Sequence, residues 1–430
     1  MIDIKLIREN EELVKENMRK KFQDDKVHLV DEVKSLDEEF RLKKAQADEL
    51  RAIRNKLSSK IGHLMREKNL DEVEKIKDVV NDINKTLIEL ELIEEELQDN
   101  INNIMMNIPQ IIDESVPLGK DSSENVEVER FGEPKVPQYK IPYHADILYN
   151  LGGLDKESSG RTSGSGFYYL LGDIARLHSA MLAYARDFMI EKGFTYCIPP
   201  FMIRSDVVKG VMSFEEMNNM MYKIEDEDLY LIGTSEHSLI GKFKDQILKE
   251  SELPIKLTSY SPCFRKEVGA HGIEERGLYR LHQFEKQEMV VICDSRDEAY
   301  WYDKMWEYTV EFFRNLDIPV RTLECCSGDL ANLKVKSCDV EAWSPRQKEY
   351  FEVGSCSRLG DAQARRLGIR VRKKNSNEYL STLNNTVVAT PRALIAFIEN
   401  NYEEDGSIRI PEVLRPYMGN ITKITKETKK

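Results

Sequence analysis

In the stretch FRKEVGAHGIEERGLYRLHQFEKQE (264–288), two groups of charged residues stand at the ends of two strand-like runs joined by a glycine-containing loop. Side chains alternate between the faces of a strand, so Arg265 and Glu267 share one face of the first run, and His282, Phe284, Lys286 and Glu288 share one face of the second. A hairpin would bring Arg265 and Glu288 into one cavity with Phe284 close by. A guanidinium suits a phosphate or a carboxylate, a carboxylate suits an ammonium, and an aromatic face suits a purine. The set describes a site for a nucleotide and an amino acid. A hairpin that only packs and carries cross-strand ion pairs is the competing reading, and it predicts a more regular alternation of apolar and charged residues.

The elements that must position these residues lie in a body running from about Ser163 to Asn420. Helical segments (172–192, 296–315) alternate there with strand-like runs, DLYLIG (228–233), IKLTSYSPCF (255–264) and LYRLHQFEKQEMVVI (278–292). Adjacent strand runs with no helix between them pair antiparallel, so the body is expected to be α+β rather than a doubly wound sheet. Neither a G-x-x-x-x-G-K-[ST] nor a G-x-G-x-x-G motif occurs, which counts against a P-loop or dinucleotide site.

Upstream of the body the pattern changes to period 3.5. Leu29, Val33, Leu36, Phe40, Lys43, Ala47, Leu50, Arg54, Leu57, Ile61 and Leu64 form one heptad seam, and Val73, Ile76, Val80, Ile83, Leu87, Leu90, Glu94, Leu97, Ile101 and Ile104 form a second. Two such seams with a short connection around Glu67 to Leu70 cover each other as an antiparallel hairpin projecting on the order of 50 Å. Between Arg41 and Lys68 nine basic residues face three acidic ones, whereas between Asp71 and Asp99 eleven acidic residues face three basic ones. Either the limbs attract one another across their flanks, or the basic edge tracks a phosphate backbone. Residues 106–165, rich in proline and glycine, read as a linker leading into the body.

Composition sets outer limits. The 430 residues suffice for two or three domains. The net charge of −13 argues against a histone-like coat, so any affinity for nucleic acid must be local. Seven scattered cysteines without a C-x-x-C pair suggest reduced thiols rather than disulfides or a zinc site. The mixed-charge N-terminus and the absence of a long apolar run predict a protein that is neither exported nor membrane-embedded. The basic end KITKETKK (423–430) reads as frayed.

PCFRKE followed by GLYRLHQFEKQE resembles motif 2 of the seryl-tRNA synthetase family of class II aminoacyl-tRNA synthetases. GFTYCIPPFMI (193–203) is similar to motif 1, GTSEHSL (233–239) to the TxE element, and ATPRALIAFIENN (389–401) to motif 3. EYFEVGSCSRLGDAQARR (349–366), STLNNT (381–386) and IPEVLRPYMGN (410–420) follow in the family's order. The resemblance covers essentially the whole chain.

It implies an N-terminal tRNA-binding domain at 1–105 with its helical hairpin arm at about 27–104, the linker at 106–165, and a class II catalytic domain at 166–430 (motif 2 near 262–288). It further implies an antiparallel sheet of six to seven strands flanked by helices, a homodimer in the cytoplasm, ATP as substrate with Mg²⁺, and ligation of L-serine to the 3′ end of tRNA(Ser) through a seryl-adenylate. The family also charges tRNA(Sec). Carried over by position, Arg265 and Arg392 are the catalytic residues. Thr234, Glu236, Arg265, Glu288, Asn384 and Thr386 would bind serine. Arg265, Lys266, Glu267, Leu281, Phe284, Glu352, Val353, Gly354, Ser355 and Arg392 would bind ATP, with Glu352 and Ser355 as the metal ligands. The loop Val268 to Arg276 would meet the acceptor end of tRNA. Thr386, Gly354, Arg358 and Pro391 depart from the family's usual residues, and none removes a charge that the reaction needs. A synthetase-like ligase serving a carrier protein and a non-catalytic paralogue are the alternatives.

Overall fold

The computed structural model describes residues 1–267 and 277–426 and separates into two compact units, Ile2–Ile108 and Pro109–Lys430 together with Met1. In the first unit, α1 (Ile4–Lys20) precedes the long helices α2 (His28–Arg66) and α3 (Leu70–Met105), which lie against each other. All the heptad positions named above are buried or half-buried, even Lys43, Arg54 and Glu94. Apolar residues every third and fourth position leave one stripe per helix to hide, and pairing the two helices hides both. The turn uses Lys68 at φ +59, and the Asn69 side chain accepts from the backbone N–H of Glu72 at 3.4 Å to start α3.

The second unit is built on an eight-stranded sheet. In chain order its strands are β1 (Val126–Phe131), β2 (Thr195–Tyr196), β3 (Ile255–Phe264), β4 (Gln283–Cys293), β5 (Val320–Glu324), β6 (Lys336–Ser344), β7 (Glu349–Arg358) and β8 (Ser381–Ala389). Their order across the sheet is β1-β5-β6-β7-β8-β4-β3-β2, antiparallel throughout except for the β2–β3 edge. The architecture is α+β, but the sheet is wider than the expected six to seven strands. Segment 106–165 supplies β1 at one edge, and a two-residue parallel strand adds β2 at the other. DLYLIG was also expected as a longer strand; only Tyr230–Leu231 pairs, with Met202–Ile203 outside the main sheet.

The main core lies between the sheet and helices α4 (Gly172–Glu191), α6 (Glu298–Asn315) and α8 (Thr390–Asn401), where Phe312, Phe313 and Phe397 are fully buried. Strand β4 shows how the sheet serves two purposes. Met289, Val291 and Cys293 enter this core, while Val290 and Ile292 on the other face join a second cluster with α5 (Ser235–Gly241) and α7 (Ala362–Leu367). Toward its start that second face carries Phe284, Lys286 and Glu288 instead.

Lys423–Ile424 pairs with Ile408–Arg409, and Ile424 is buried, so this part of the C-terminal stretch is not frayed as its charge suggested. The loop Val268 to Arg276 and residues 427–430 lie outside the described residues. All seven cysteines are free thiols, and among the described residues no helix is long and apolar enough to cross a membrane.

Candidate active site

Glu288 stands opposite Thr386 on β8 and opposite Ser259 on β3. Its neighbour on the same face, Lys286, contacts it directly through Nζ, and both side chains are buried. Thr234 Oγ1 donates to Glu288 Oε2 at 3.2 Å. Thr234 is also the N-cap of α5, where its hydroxyl accepts from the backbone N–H of Glu236 at 3.3 Å. One threonine therefore ties the start of a helix to the carboxylate of a central strand.

Arg265 leaves β3 just past its end. Its backbone N–H donates to His282 O at 2.9 Å, and its own carbonyl lies 3.0 Å from His282 Nδ1. The Tyr222 hydroxyl lies at the same 3.0 Å from His282 Nδ1. The Arg265 side chain donates through Nε to Gly233 O at 3.2 Å, and its guanidinium lies 5.3 Å from the centre of the Phe284 ring. Glu267, at φ +46, pairs with Arg280 at 3.2 Å.

The third wall comes from β7 and α8. Val340 pairs with Gly354 and Glu341 with Glu352, so Val353 has no counterpart on β6. The bulge brings Glu352 and Ser355 to one cavity although they are three residues apart. A second irregularity, at Val387 on β8, brings Asn384, Thr386 and Ala389 to it as well. Arg392, in the first turn of α8 after Pro391, donates to Glu352 Oε2 at 2.8 Å, with its guanidinium 4.5 Å from the Tyr279 ring centre. The missing N–H of Pro391 falls where a helix start has no intrahelical acceptor. Ser355 Oγ lies 3.3 Å from Ser337 Oγ and 3.5 Å from Lys334 Nζ.

These walls enclose about 380 Å³. Thr234, Glu236, Arg265, Glu267, Leu281, Phe284, Glu288, Glu352, Val353, Gly354, Ser355, Asn384, Thr386 and Arg392 all line it. Lys266 does not; its ammonium reaches Asn218 O at 3.4 Å and its N–H donates to Met220 O. Lys286, Tyr279 and Lys334 are among the lining residues that were not selected from the sequence. Lys286 was legible in the period-two face of β4, Tyr279 lay unmarked inside the motif-2 resemblance, and Lys334 had no local signal.

Among the residues lining the cavity, Glu236 and His237 are strongly perturbed. Burial, and then the neighbouring Glu288, push Glu236 up to about 7. Burial, and then Arg265 and Lys286, push His237 down to about 3, leaving a neutral imidazole. Of the departures from the family's residues, Arg358 is held by Glu298 at 2.6 Å and Asp113 at 2.8 Å, outside the cavity lining. A Cβ on Gly354 would lie 3.2 Å from Thr386 O and 3.3 Å from Thr309 Cγ2, so a side chain there needs a small shift of its neighbours.

Residues 1–112 match the model of the seryl-tRNA synthetase N-terminal domain, and residues 222–401 match that of the class II tRNA synthetase core domain (G, H, P, S and T). The serine–tRNA ligase of Pyrococcus horikoshii is 42% identical over 441 residues, covering 97% of this chain and 96% of that protein. This chain belongs to the seryl-tRNA synthetase family. The solved seryl-tRNA synthetase from Pyrococcus horikoshii complexed with ATP superposes on the synthetase chain with a TM-score of 0.92 at 41% identity, each covering 100% of the other. The cytoplasmic serine–tRNA ligase from Naegleria fowleri in complex with AMP gives 0.87 at 32% identity, over 100% of this chain and 99% of that one.

Proposed function

We propose that this chain activates L-serine with ATP to seryl-adenylate and transfers the serine to the 3′ end of tRNA(Ser). It does so as a cytoplasmic homodimer, with tRNA(Sec) a further acceptor where the cell has it. The observation that carries the reading is the setting of Arg265. Its Nε is taken by Gly233 O, and among the described residues no protein group hydrogen-bonds the terminal nitrogens. They are available to bridge the serine carboxylate and the α-phosphate, and to stabilise charge as the carboxylate attacks phosphorus. That carboxylate is ionised near neutral pH, so the step needs no general base. Phe284 stacks on adenine, Glu267 bonds its edge, and Arg392 holds the γ-phosphate.

Thr234, Glu236, Glu288, Asn384 and Thr386 receive the serine. Hydrogen bonds to the serine hydroxyl reject alanine by up to ~10⁴-fold, whereas excluding the extra methyl of threonine yields only about 1–3 kcal/mol. The Glu352 carboxylate and Ser355 hydroxyl are hard oxygen donors opening on one cavity, a set that fits Mg²⁺. When bound, the ion would supply charge neutralisation and a template for the phosphates.

The basic edge of α2 is the tRNA contact. Arg51–Glu91 and Lys60–Glu72 are the ion pairs that cross between the limbs among the described residues, so attraction between the limbs engages a minority of those cations. Recognition there depends on shape and backbone more than on bases.

The test is aminoacylation of total tRNA with labelled serine, alongside threonine and alanine, for the wild type and Arg265→Ala. Seryl-tRNA formed by the wild type and lost in the variant supports the reading. Adenylate without transfer would instead favour a ligase serving a carrier protein, and no adenylate a chain without the chemistry.

A further inference from the structure

Gln363 lies in α7, fully buried and outside the cavity lining. Its Nε2 donates to Glu236 Oε1 at 2.7 Å and to Val211 O at 3.2 Å, and its Oε1 accepts from Thr382 Oγ1 at 2.6 Å. The carbonyl of Val211 can only accept, so the NH₂ side of the amide must face it, and the oxygen is left for the threonine hydroxyl. This removes the usual freedom of an amide to turn over. Glu236 is consequently met by a donor, and among the described residues Gln363 is the one side chain that hydrogen-bonds its carboxylate.

That donor is needed because of what else faces Glu236. Burial disfavours its charged form and the Glu288 carboxylate repels it too; Lys286 and Lys334 supply the positive charge around it, and His237 next to it, facing Arg265 and Lys286, is neutral. A protonated Glu236 would be a poorer acceptor for a ligand ammonium.

We propose that Gln363 is a positioning residue for amino-acid recognition: it locks Glu236 in one orientation as an acceptor and thereby sets the affinity for serine without touching it. The inference rests on the reading that Glu236 lines the serine pocket. It makes Gln363 specific to one substrate, because nothing in this chain of bonds leads to the nucleotide side of the cavity.

The experiment is serine-dependent ATP–pyrophosphate exchange by full-length wild type, Gln363→Met, Thr382→Val and Glu236→Gln, with serine and ATP varied separately between pH 5.5 and 9. Gln363→Met should raise KM for serine roughly tenfold or more, the scale of a lost hydrogen bond to a charged group, and leave KM for ATP within about twofold. The acid limb of kcat/KM for serine should move to higher pH, because the ionised acceptor has lost its donor. Thr382→Val frees the amide and should shift both quantities in the same direction by a smaller factor; if Gln363→Met does not fold, this variant decides by the same criteria. A serine KM that stays within twofold, or serine and ATP constants that rise together with an unmoved pH profile, overturns the proposal and leaves Gln363 a packing residue. If Glu236→Gln itself leaves the serine KM unchanged, the pocket reading fails; if it raises KM and the Gln363 variant does not, only the present inference fails.

Discussion

Glu352 and Ser355 open onto the same cavity from positions three apart on one strand, because Val353 between them pairs with nothing on the neighbouring strand. In a regular strand a separation of three puts two side chains on opposite faces. The bulge therefore makes a two-oxygen donor set from residues that strict alternation would separate, and Arg392 sits against one of them at 2.8 Å.

Replacing Glu352 with Gln keeps the shape and removes the charge of that donor set. We expect the Mg²⁺ concentration for half-maximal pyrophosphate exchange to rise at least about tenfold, the scale of disturbing a metal's surroundings. Titrating Mg²⁺ at fixed ATP checks it, and an unchanged midpoint would remove Glu352 from the ligand set.

Arg265→Lys retains a positive charge but loses the planar fork that can bridge two anions. The expected loss is about 10²–10³-fold in kcat for adenylate formation, comparable to deleting one preorganised donor to developing charge. Single-turnover adenylate formation measures it, and a variant within threefold of wild type would contradict the bridging role.

Glu236 titrates at about 7 in the fold against 4.5 for a free glutamate. The folded state thus binds more protons than the unfolded chain between those values, so this group's contribution to stability declines as pH rises from about 4.5 to 7. Glu236→Gln should match the wild type near pH 4.5 and exceed it above pH 7, by on the order of 1–3 kcal/mol for a half-buried carboxyl beside a second carboxylate. Denaturant unfolding without ligands at both pH values tests the sign.

On the arm, Lys56, Arg66 and Lys68 lie on the basic limb, exposed and outside the ion pairs that cross to α3. Replacing all three with Ala should raise KM for tRNA and leave pyrophosphate exchange unaltered. The salt slope of tRNA binding should fall by about one for each phosphate that the arm no longer neutralises. Equal effects on exchange and on aminoacylation would mean that the arm does not act through RNA.

Much of this was legible in the linear sequence. Both heptad seams and the strand 255–264 coincide with elements of the structure, because side-chain periods of 3.5 and 2 are local properties that a single element must satisfy to hide its apolar residues. The alternation of Phe284, Lys286 and Glu288 marked the site face for the same reason. Where local pattern was short or mixed, the reading failed. VEVERF, exposed along most of its length, joined the sheet only because β5 offers it an edge, and the basic end at Lys423–Ile424 is ordered only by pairing with Ile408–Arg409.

The sequence by itself determined which chemical groups are present: the motifs, their order, and hence the family and the candidate residues proposed for an amino acid and a nucleotide. Tertiary structure alone decided how those residues meet. The bulges at Val353 and Val387, the amide orientation of Gln363, and the His282 bonds that anchor Arg265 each depend on a partner strand or a distant carbonyl. Such pairings are set by which backbone groups remain to be satisfied once the sheet has assembled, and no local period carries that information.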